Sequence, residues 1–167
     1  EKSDIADILC CLAYIIDDEK IIDEVCPIIK NVPANERYKL LYLLLKNPKN
    51  KKQMNTLISF LGDRSQNTYE KAFEILNKLD LSQDEYTKIE KLYTRKSGDI
   101  RANLTALILK SDDTFLKASI DRLLSSNKEE LRIGALDILI SVFKDENRAS
   151  LYEDFKQKVK NIFQAQS

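Results

Sequence analysis

The chain has 167 residues, of which 43% are apolar and 32% charged, and its 27 basic residues balance its 27 acidic residues. That length suits one compact domain or one short repeat array, with enough apolar residues for a core. A net charge of zero argues against a general polyanion-binding protein, although a local basic face is compatible with it. Only three Gly and three Pro occur, which favours helices over strands joined by tight turns.

The longest dense apolar stretch is the first, Ile5 to Ile16, which is broken by an acid and flanked by acids. It is too short to span a bilayer and lacks the basic start of a signal peptide, so no membrane partner is predicted. Cys10, Cys11 and Cys26 are an odd number of thiols at no metal-ligand spacing. This usage predicts small buried thiols, no disulfide framework and a reducing, cytoplasmic compartment.

The same first stretch is apolar on nearly all sides, whereas a terminal repeat is usually polar on its outer side. We therefore expect residues 1–167 to be a fragment of a longer chain that continues upstream and covers this helix. The isolated fragment is expected to be monomeric or to associate weakly through it.

Hydrophobic periodicity predicts ten helices, short loops and no strand. The predicted ranges are 4–16, 19–30, 36–46, 50–61, 67–79, 83–96, 99–110, 113–125, 128–143 and 147–163. Ser82 with Glu85, and Asn127 with Glu130, have the spacing of a capping box, in which two side chains satisfy the free amides of a helix start. Asn35 is a further predicted N-cap.

Every second helix repeats one apolar stripe. The reference positions of these stripes are spaced by 31 or 32 residues: Ile5, Arg37, Tyr69, Arg101 and Arg132. Apolar residues follow three, four and seven positions later in fourteen of fifteen slots, and Thr105 is the exception. The intervening helices keep the same period. Because one hairpin cannot bury both its faces, we predict a single all-α domain, a right-handed α-α superhelix (α-solenoid) of about five stacked hairpins.

Two helix starts, Asp99-Ile100-Arg101 and Glu130-Leu131-Arg132, resemble the start of the second helix in HEAT-like (armadillo-type) repeats. The resemblance is good over 83–143 and fair elsewhere, because Ile5 and Tyr69 hold the Arg position in their repeats. It implies a scaffold whose second helices line the concave side of a curved stack. Arg101 and Arg132 are expected to pair with nearby acids such as Asp99 or Asp112.

A basic ladder is predicted on this implied concave face, beside a tyrosine. Its members are Lys39, Tyr42, Lys46, Lys71, Lys78 and Lys110. One interpretation is a groove for an acidic peptide or a phosphate backbone. The other is a solvated face, with lysines near helix C-termini where the helix dipole favours cations. Gly134, inside a predicted helix, is expected to allow a close helix approach.

Catalysis is poorly supported, because the chain has no His, no Trp and no Gly-rich phosphate loop, and no cofactor or metal is predicted. The HEAT-like resemblance includes DNA glycosylases, but that is an analogy at the level of the fold. The sequence therefore predicts a non-catalytic helical-repeat scaffold that contacts a protein partner or the remainder of its own chain within a larger protein. The alternative is a nucleic-acid-binding module that uses the basic ladder.

Overall fold

The computed structural model describes residues 2–94 and 98–164, and within these ranges it contains ten α-helices and no strand. The helices are α1 (Lys2–Ala13), α2 (Glu19–Ile29), α3 (Ala34–Leu44), α4 (Lys51–Ser59), α5 (Gln66–Leu76), α6 (Gln83–Glu90), α7 (Gly98–Ile108), α8 (Asp113–Leu124), α9 (Glu129–Lys144) and α10 (Ala149–Gln164). Short 3-10 turns occupy Phe60–Gly62, Lys91–Thr94 and Glu146–Arg148. The predicted all-α class and ten helices are confirmed. The predicted end of the sixth helix at residue 96 lies outside the described residues, as does the side chain of Ile5.

Four even-numbered helices start at an acceptor side chain. The carboxylate of Asp18 and the amide oxygen of Asn50 each accept two backbone N–H bonds at the starts of α2 and α4. Asp112 accepts one such bond at the start of α8, at 2.9 Å. At α6, Ser82 N donates to Glu85 Oε2 at 2.6 Å and Glu85 N donates to Ser82 Oγ at 3.4 Å. The predicted capping box at Ser82 is therefore confirmed.

Two other predicted caps are wrong. The helix α3 begins directly after Pro33 with no side-chain cap, and Asn35 lies inside its first turn. Proline fixes its own φ near the helical value, so the chain can enter a helix there without a capping side chain. At α9 the N-cap is Lys128 rather than Asn127, and the Ser126 hydroxyl accepts the Lys128 N–H at 3.1 Å. The turn before α9 is thus closed by a residue that precedes the predicted cap.

The chain divides into two compact units, one ending at Glu85 and one beginning at Tyr86. In the first unit α1 packs against α3, α3 against α5, and α2 against α4. Helices two positions apart in the chain are therefore neighbours, as in stacked hairpins. The core of this unit includes fully buried Leu side chains of the predicted stripes: Leu40, Leu41, Leu57, Leu61 and Leu76.

In the second unit α7 and α8 both pack against α9, and α9 also packs against α10. The 3-10 turn Lys91–Thr94 contacts both α7 and α9. Its Tyr93 is fully buried, and the Tyr93 hydroxyl oxygen lies 2.9 Å from Thr105 Oγ1. Burial raises the pKa of Tyr93, so the phenol stays neutral. This hydrogen bond explains why Thr105 is the one polar residue among the fifteen stripe positions.

Gly134 faces the same tyrosine from α9. A Cβ built at Gly134 would stand 2.6 Å from both Cγ and Cδ1 of Tyr93, closer than real Cβ contacts allow. The expected close approach at Gly134 is confirmed, and the partner is a buried aromatic ring.

The arginines that open second helices bind across to neighbouring segments. Arg37 Nη2 pairs with Asp63 at 3.0 Å, and Arg101 Nε pairs with Asp137 of α9 at 3.1 Å. Arg132 donates instead to a backbone carbonyl of the preceding loop, at 3.0 Å. Asp137 was not among the predicted partners. One acid that was, Asp112, is used as the cap of α8.

The three thiols have different environments. Cys26 is buried, Cys10 is half-buried and Cys11 is exposed. Burial raises the pKa of the Cys26 and Cys10 thiols, which favours their neutral forms. The predicted burial is confirmed for Cys26 and wrong for Cys11, whose side chain is exposed.

Candidate interaction surface

The exposed side of α3 carries two tyrosines one helical turn apart. Leu40, Leu41 and Leu44 of α3 face the core, and the opposite side of this helix faces solvent. Tyr38 and Tyr42 are 39% and 53% exposed. Residues four apart lie on one helix face, so these two rings form a single aromatic patch.

Lys71 of α5 reaches across to this patch. Its Nζ lies 5.3 Å from the Tyr38 ring centroid and 5.5 Å from the Tyr42 ring centroid, within cation–π range. The side chain is only 14% exposed, and its ammonium also pairs with Glu74. The hydrogen bond that Lys71 donates to Glu74 raises the pKa of Lys71, which therefore stays charged. Lys71 thus joins α5 to the tyrosines of α3.

Glu74 binds two of the predicted ladder lysines at once. Lys78 Nζ lies 2.8 Å from Glu74 Oε1, while Lys71 pairs with the other carboxylate oxygen. The hydrogen bonds from Lys71 and Lys78 lower the pKa of Glu74 to about 2. On α5, therefore, a carboxylate offsets part of the ladder's positive charge.

The other ladder lysines are exposed. Lys39 lies on α3, and Lys46 follows the end of α3 with its Nζ 5.8 Å from the Tyr42 ring centroid. Lys110 belongs to the second unit, where it follows the end of α7. Lys46, Lys78 and Lys110 each come two residues after the end of a helix. That placement agrees with the helix-dipole interpretation of the three lysines.

Within the first unit these side chains make one mixed surface, which we name the tyrosine–lysine face. Its members are Tyr38, Lys39, Tyr42, Lys46, Lys71, Glu74 and Lys78. A cavity of about 480 Å³ opens on it, lined by Tyr38, Asn67, Glu70, Lys71 and Glu74. The predicted ladder did not include Tyr38, nor Glu74, which lies between Lys71 and Lys78 in the sequence. The four-residue spacing of Tyr38 and Tyr42 was the signal that could have found the first of them.

The second unit has a groove of its own, of about 340 Å³, between α7 and α9. The Arg101–Asp137 ion pair lines it, together with Ala102, Ala106 and the half-exposed Ile140. Its walls are mainly small or already paired side chains, so it offers fewer groups for recognition than the tyrosine–lysine face does.

Throughout residues 2–94 and 98–164, no group of three or more Cys, Asp or Glu side chains is arranged to hold a metal ion. None of the helices in these ranges combines the length and the apolar character needed to cross a membrane.

Residues 1–167 match the family described as "Family of unknown function (DUF5724)" over their whole length. The chain belongs to the DUF5724 family. No curated protein matches this DUF5724 chain. No solved structure matches it either.

The tyrosine–lysine face of the DUF5724 chain combines aromatic and charged groups. Two tyrosines provide flat apolar area with hydroxyl groups, Lys39 and Lys46 provide exposed positive charge, and Glu74 provides a paired negative charge. Tyr is enriched at protein interfaces, where a ring buries a large area at a small cost in side-chain entropy. Charged groups beside the rings then select the orientation of a bound segment.

Proposed function

We propose that this DUF5724 chain is a non-catalytic scaffold that binds a protein segment through the tyrosine–lysine face. The carrying observation is the pair of exposed tyrosines, Tyr38 and Tyr42, held in place by Lys71 beside a cavity. Exposed aromatic rings with a fixed orientation are typical of the anchors that contribute most of the binding energy at interfaces. The segment comes from a partner protein or from another part of the same polypeptide.

The scaffold itself is proposed to be a HEAT-like α-solenoid of about five hairpins with a period of 31–32 residues. Burial at equivalent positions supports this. The even-numbered helices each bury one side chain at steps of 31 or 32 residues: Val25, Leu57, Ile89, Ile120 and Leu151. Stacked repeats bury such a stripe continuously, because each hairpin covers its neighbour.

A nucleic-acid ligand is the competing proposal for the same face. It needs unopposed positive charge, because affinity for phosphates comes from neutralising them with Lys and Arg. Glu74 opposes Lys71 and Lys78, and the whole chain has a net charge of zero. These two facts favour a protein segment over a phosphate backbone.

The test is affinity capture from a lysate of the source cells, with retained proteins quantified by mass spectrometry. Three baits are compared: the unaltered chain, Tyr42→Ala with Lys46→Glu on the tyrosine–lysine face, and Lys51→Glu with Asn55→Ala on exposed positions of α4. The first variant is expected to lose about tenfold or more of a specific protein, since interface aromatic anchors contribute about 2 kcal/mol or more. The α4 variant is expected to retain that protein.

Nuclease treatment and two salt concentrations separate the competing ligand. Loss of the retained material on nuclease treatment, together with a steep decrease at high salt, would show that the ligand is a nucleic acid. Equal retention by both variants would show that the tyrosine–lysine face is not the binding surface.

A further inference from the structure

The first hairpin leaves apolar side chains in solvent on one side. Ile8 and Leu12 of α1 are 58% and 41% exposed, and Ile21 and Ile28 of α2 are 45% and 41% exposed. These four side chains are named here the open face. The exposed part of each aliphatic side chain forgoes the stabilisation that its burial would give. An exposed set of this kind marks a contact surface more often than an ordinary protein surface.

Later helices bury the same repeat positions. Steps of 31 or 32 residues from Ile8 reach Leu40, Ala72, Leu104 and Ala135, all of which are 0% exposed. The same steps from Leu12 reach Leu44, Leu76, Ile108 and Leu139, none of which is more than 5% exposed. The positions equivalent to Ile8 and Leu12 therefore lie in the core of every later odd-numbered helix that the structure describes.

The α2 positions have buried equivalents in the next even-numbered helix region. One step of 32 residues from Ile28 reaches Phe60, which is 2% exposed, and one step from Ile21 reaches Gln53, which is fully buried. Both lie in the α4 region, which α2 covers.

The first hairpin differs from the second in its neighbours. Within the first unit α3 packs against α1, and α4 packs against α2. In the second unit α9 likewise packs against α7. Each of these helices has the helix two positions earlier as a neighbour. For α1 and α2 the described residues contain no such earlier helix. The open face is thus the continuation of the hairpin–hairpin interface seen between α1–α2 and α3–α4.

We propose that the open face is the docking surface for one more helical hairpin of the same repeat type, which packs on α1 and α2 in the way that they pack on α3 and α4. The inference rests on the repeat register in the proposed function. Its occupant has an apolar stripe equivalent to the inner side of α1–α2, where Ala6, Ala13, Val25 and Ile29 are buried. A second copy of the chain cannot offer the inner sides of its own α1 and α2 to this face, because they are already packed on α3 and α4.

The experiment supplies such a hairpin. Residues 34–65, one full period, are copied directly in front of Lys2. Three changes in the copy alone, Leu40→Gln, Leu44→Gln and Phe60→Gln, make its own outer side polar, as in natural capping repeats. A matched control inserts the same substituted residues as 50–65 followed by 34–49. This control has identical length and composition but presents the helices in the wrong order.

Hydrogen exchange in α1 and α2 and the thermal midpoint are measured for the unaltered chain and both insertions. The correctly ordered copy is expected to slow exchange in α1 by about tenfold or more, because covered helices open less often. It is also expected to raise the midpoint by about 5 °C. The reordered copy is expected to change neither quantity.

Equal effects of the two insertions, or no protection by the ordered one, would overturn the proposal. So would concentration-dependent dimerisation of the unaltered chain that Ile8→Glu with Leu12→Glu abolishes, since the occupant would then be a second copy. A failure of this kind leaves the capture experiment on the tyrosine–lysine face unaffected, so the two proposals are tested separately.

Discussion

Tyr93 and Gly134 show how two residues separated in sequence depend on each other. The ring of Tyr93 occupies the space that a side chain at position 134 would need, and its hydroxyl is satisfied by Thr105. A glycine inside a helix costs about 1 kcal/mol relative to alanine. Here the close packing of a fully buried ring offsets that cost.

The first prediction concerns Gly134→Ala. The added Cβ would meet the Tyr93 ring at 2.6 Å, so we expect a loss of about 1–3 kcal/mol in the free energy of unfolding despite the better helix propensity of alanine. Urea denaturation measures it. The control is Gly98→Ala at the start of α7, where a Cβ meets nothing within 4 Å. An unchanged or increased stability of Gly134→Ala would contradict the packing described.

Glu74 gives a pH-dependent prediction. Its pKa is lowered from 4.5 to about 2 by Lys71 and Lys78, so the folded protein holds the ionised carboxylate more tightly than the unfolded chain does. The stabilisation is fully present above about pH 4.5 and is lost as the pH falls through about 2. Glu74→Gln should therefore lower the urea midpoint at neutral pH.

The difference between Glu74→Gln and the unaltered protein should shrink as the pH falls across that window. Because Glu74 and Lys78 are 47% and 69% exposed, about 1 M salt should also reduce this difference at neutral pH. A difference that stays constant with both pH and salt would mean that the Glu74 ion pairs contribute nothing to stability.

At the residue scale, the sequence showed which positions depart from the apolar helix pattern. It did not show the contacts that explain these departures. Thr105 and Gly134 were visible as exceptions in apolar helices, yet their shared partner Tyr93 occupies an ordinary stripe position. Similarly, Lys71 was predicted as part of a basic ladder. Its contacts with Tyr38 and Glu74 depend on how α3 packs against α5, which helix periodicity does not specify.

At the level of elements, helix starts were predictable where one side chain supplies the cap. The Ser82 capping box is such a case, because both partners lie within one turn of sequence. The starts of α3 and α9 were not predictable in this way. Helix α3 begins after a proline with no side-chain cap, and a serine hydroxyl closes the turn before α9.

This contrast gives the third prediction. Ser82→Ala should destabilise the protein by about 1 kcal/mol, because it removes the side-chain acceptor of the Glu85 N–H at the start of α6. Asn127→Ala should change stability by less than about 0.5 kcal/mol, since Asn127 does not cap α9. Thermal or urea unfolding of the two variants side by side is sufficient. A larger loss for Asn127→Ala than for Ser82→Ala would reverse the assignment of the caps.

Gln53 makes a contact between helices that helix periodicity does not predict. It is fully buried, and its side chain accepts the Lys49 N–H at 2.9 Å and donates to Asp23 of α2 at 2.8 Å. The hydrogen bonds from Asn50 and Gln53 lower the pKa of Asp23. A polar residue in a helix is normally assigned to the solvent side, so a buried amide that links α4 to α2 cannot be recognised from pattern alone.

For the whole molecule, the sequence was sufficient for the class and the helix count, because ten amphipathic segments with short loops leave little choice. The stacking of hairpins is a further step, since it depends on which faces meet. Positions that are equivalent in the repeat, such as Leu40 and Ala135, are both fully buried, and this shared burial supports the stacking of hairpins.

The fourth prediction tests the repeat directly. Deleting residues 34–65 removes one period of 32 residues and joins α2 to α5 in the same register. A solenoid tolerates this, because stability is a sum over repeats and their nearest neighbours. Circular dichroism should therefore show a cooperative transition and a helix content per residue close to that of the unaltered chain.

The control is the deletion of residues 34–49, which is half as long but removes α3 alone. It joins two helices of the same kind and should abolish cooperative unfolding. If the shorter deletion were the better tolerated of the two, the 32-residue period would have no structural meaning.

The burial of Tyr93 has an optical consequence. The chain contains seven tyrosines and no tryptophan, so its near-ultraviolet absorption comes chiefly from phenols. After alkali is added, the raised pKa of Tyr93 delays the ionisation of its buried phenol until residues from 86 onward open. After a jump to alkaline pH, the slow fraction of the phenolate absorbance therefore reports the opening rate of that half of the chain, with no label attached.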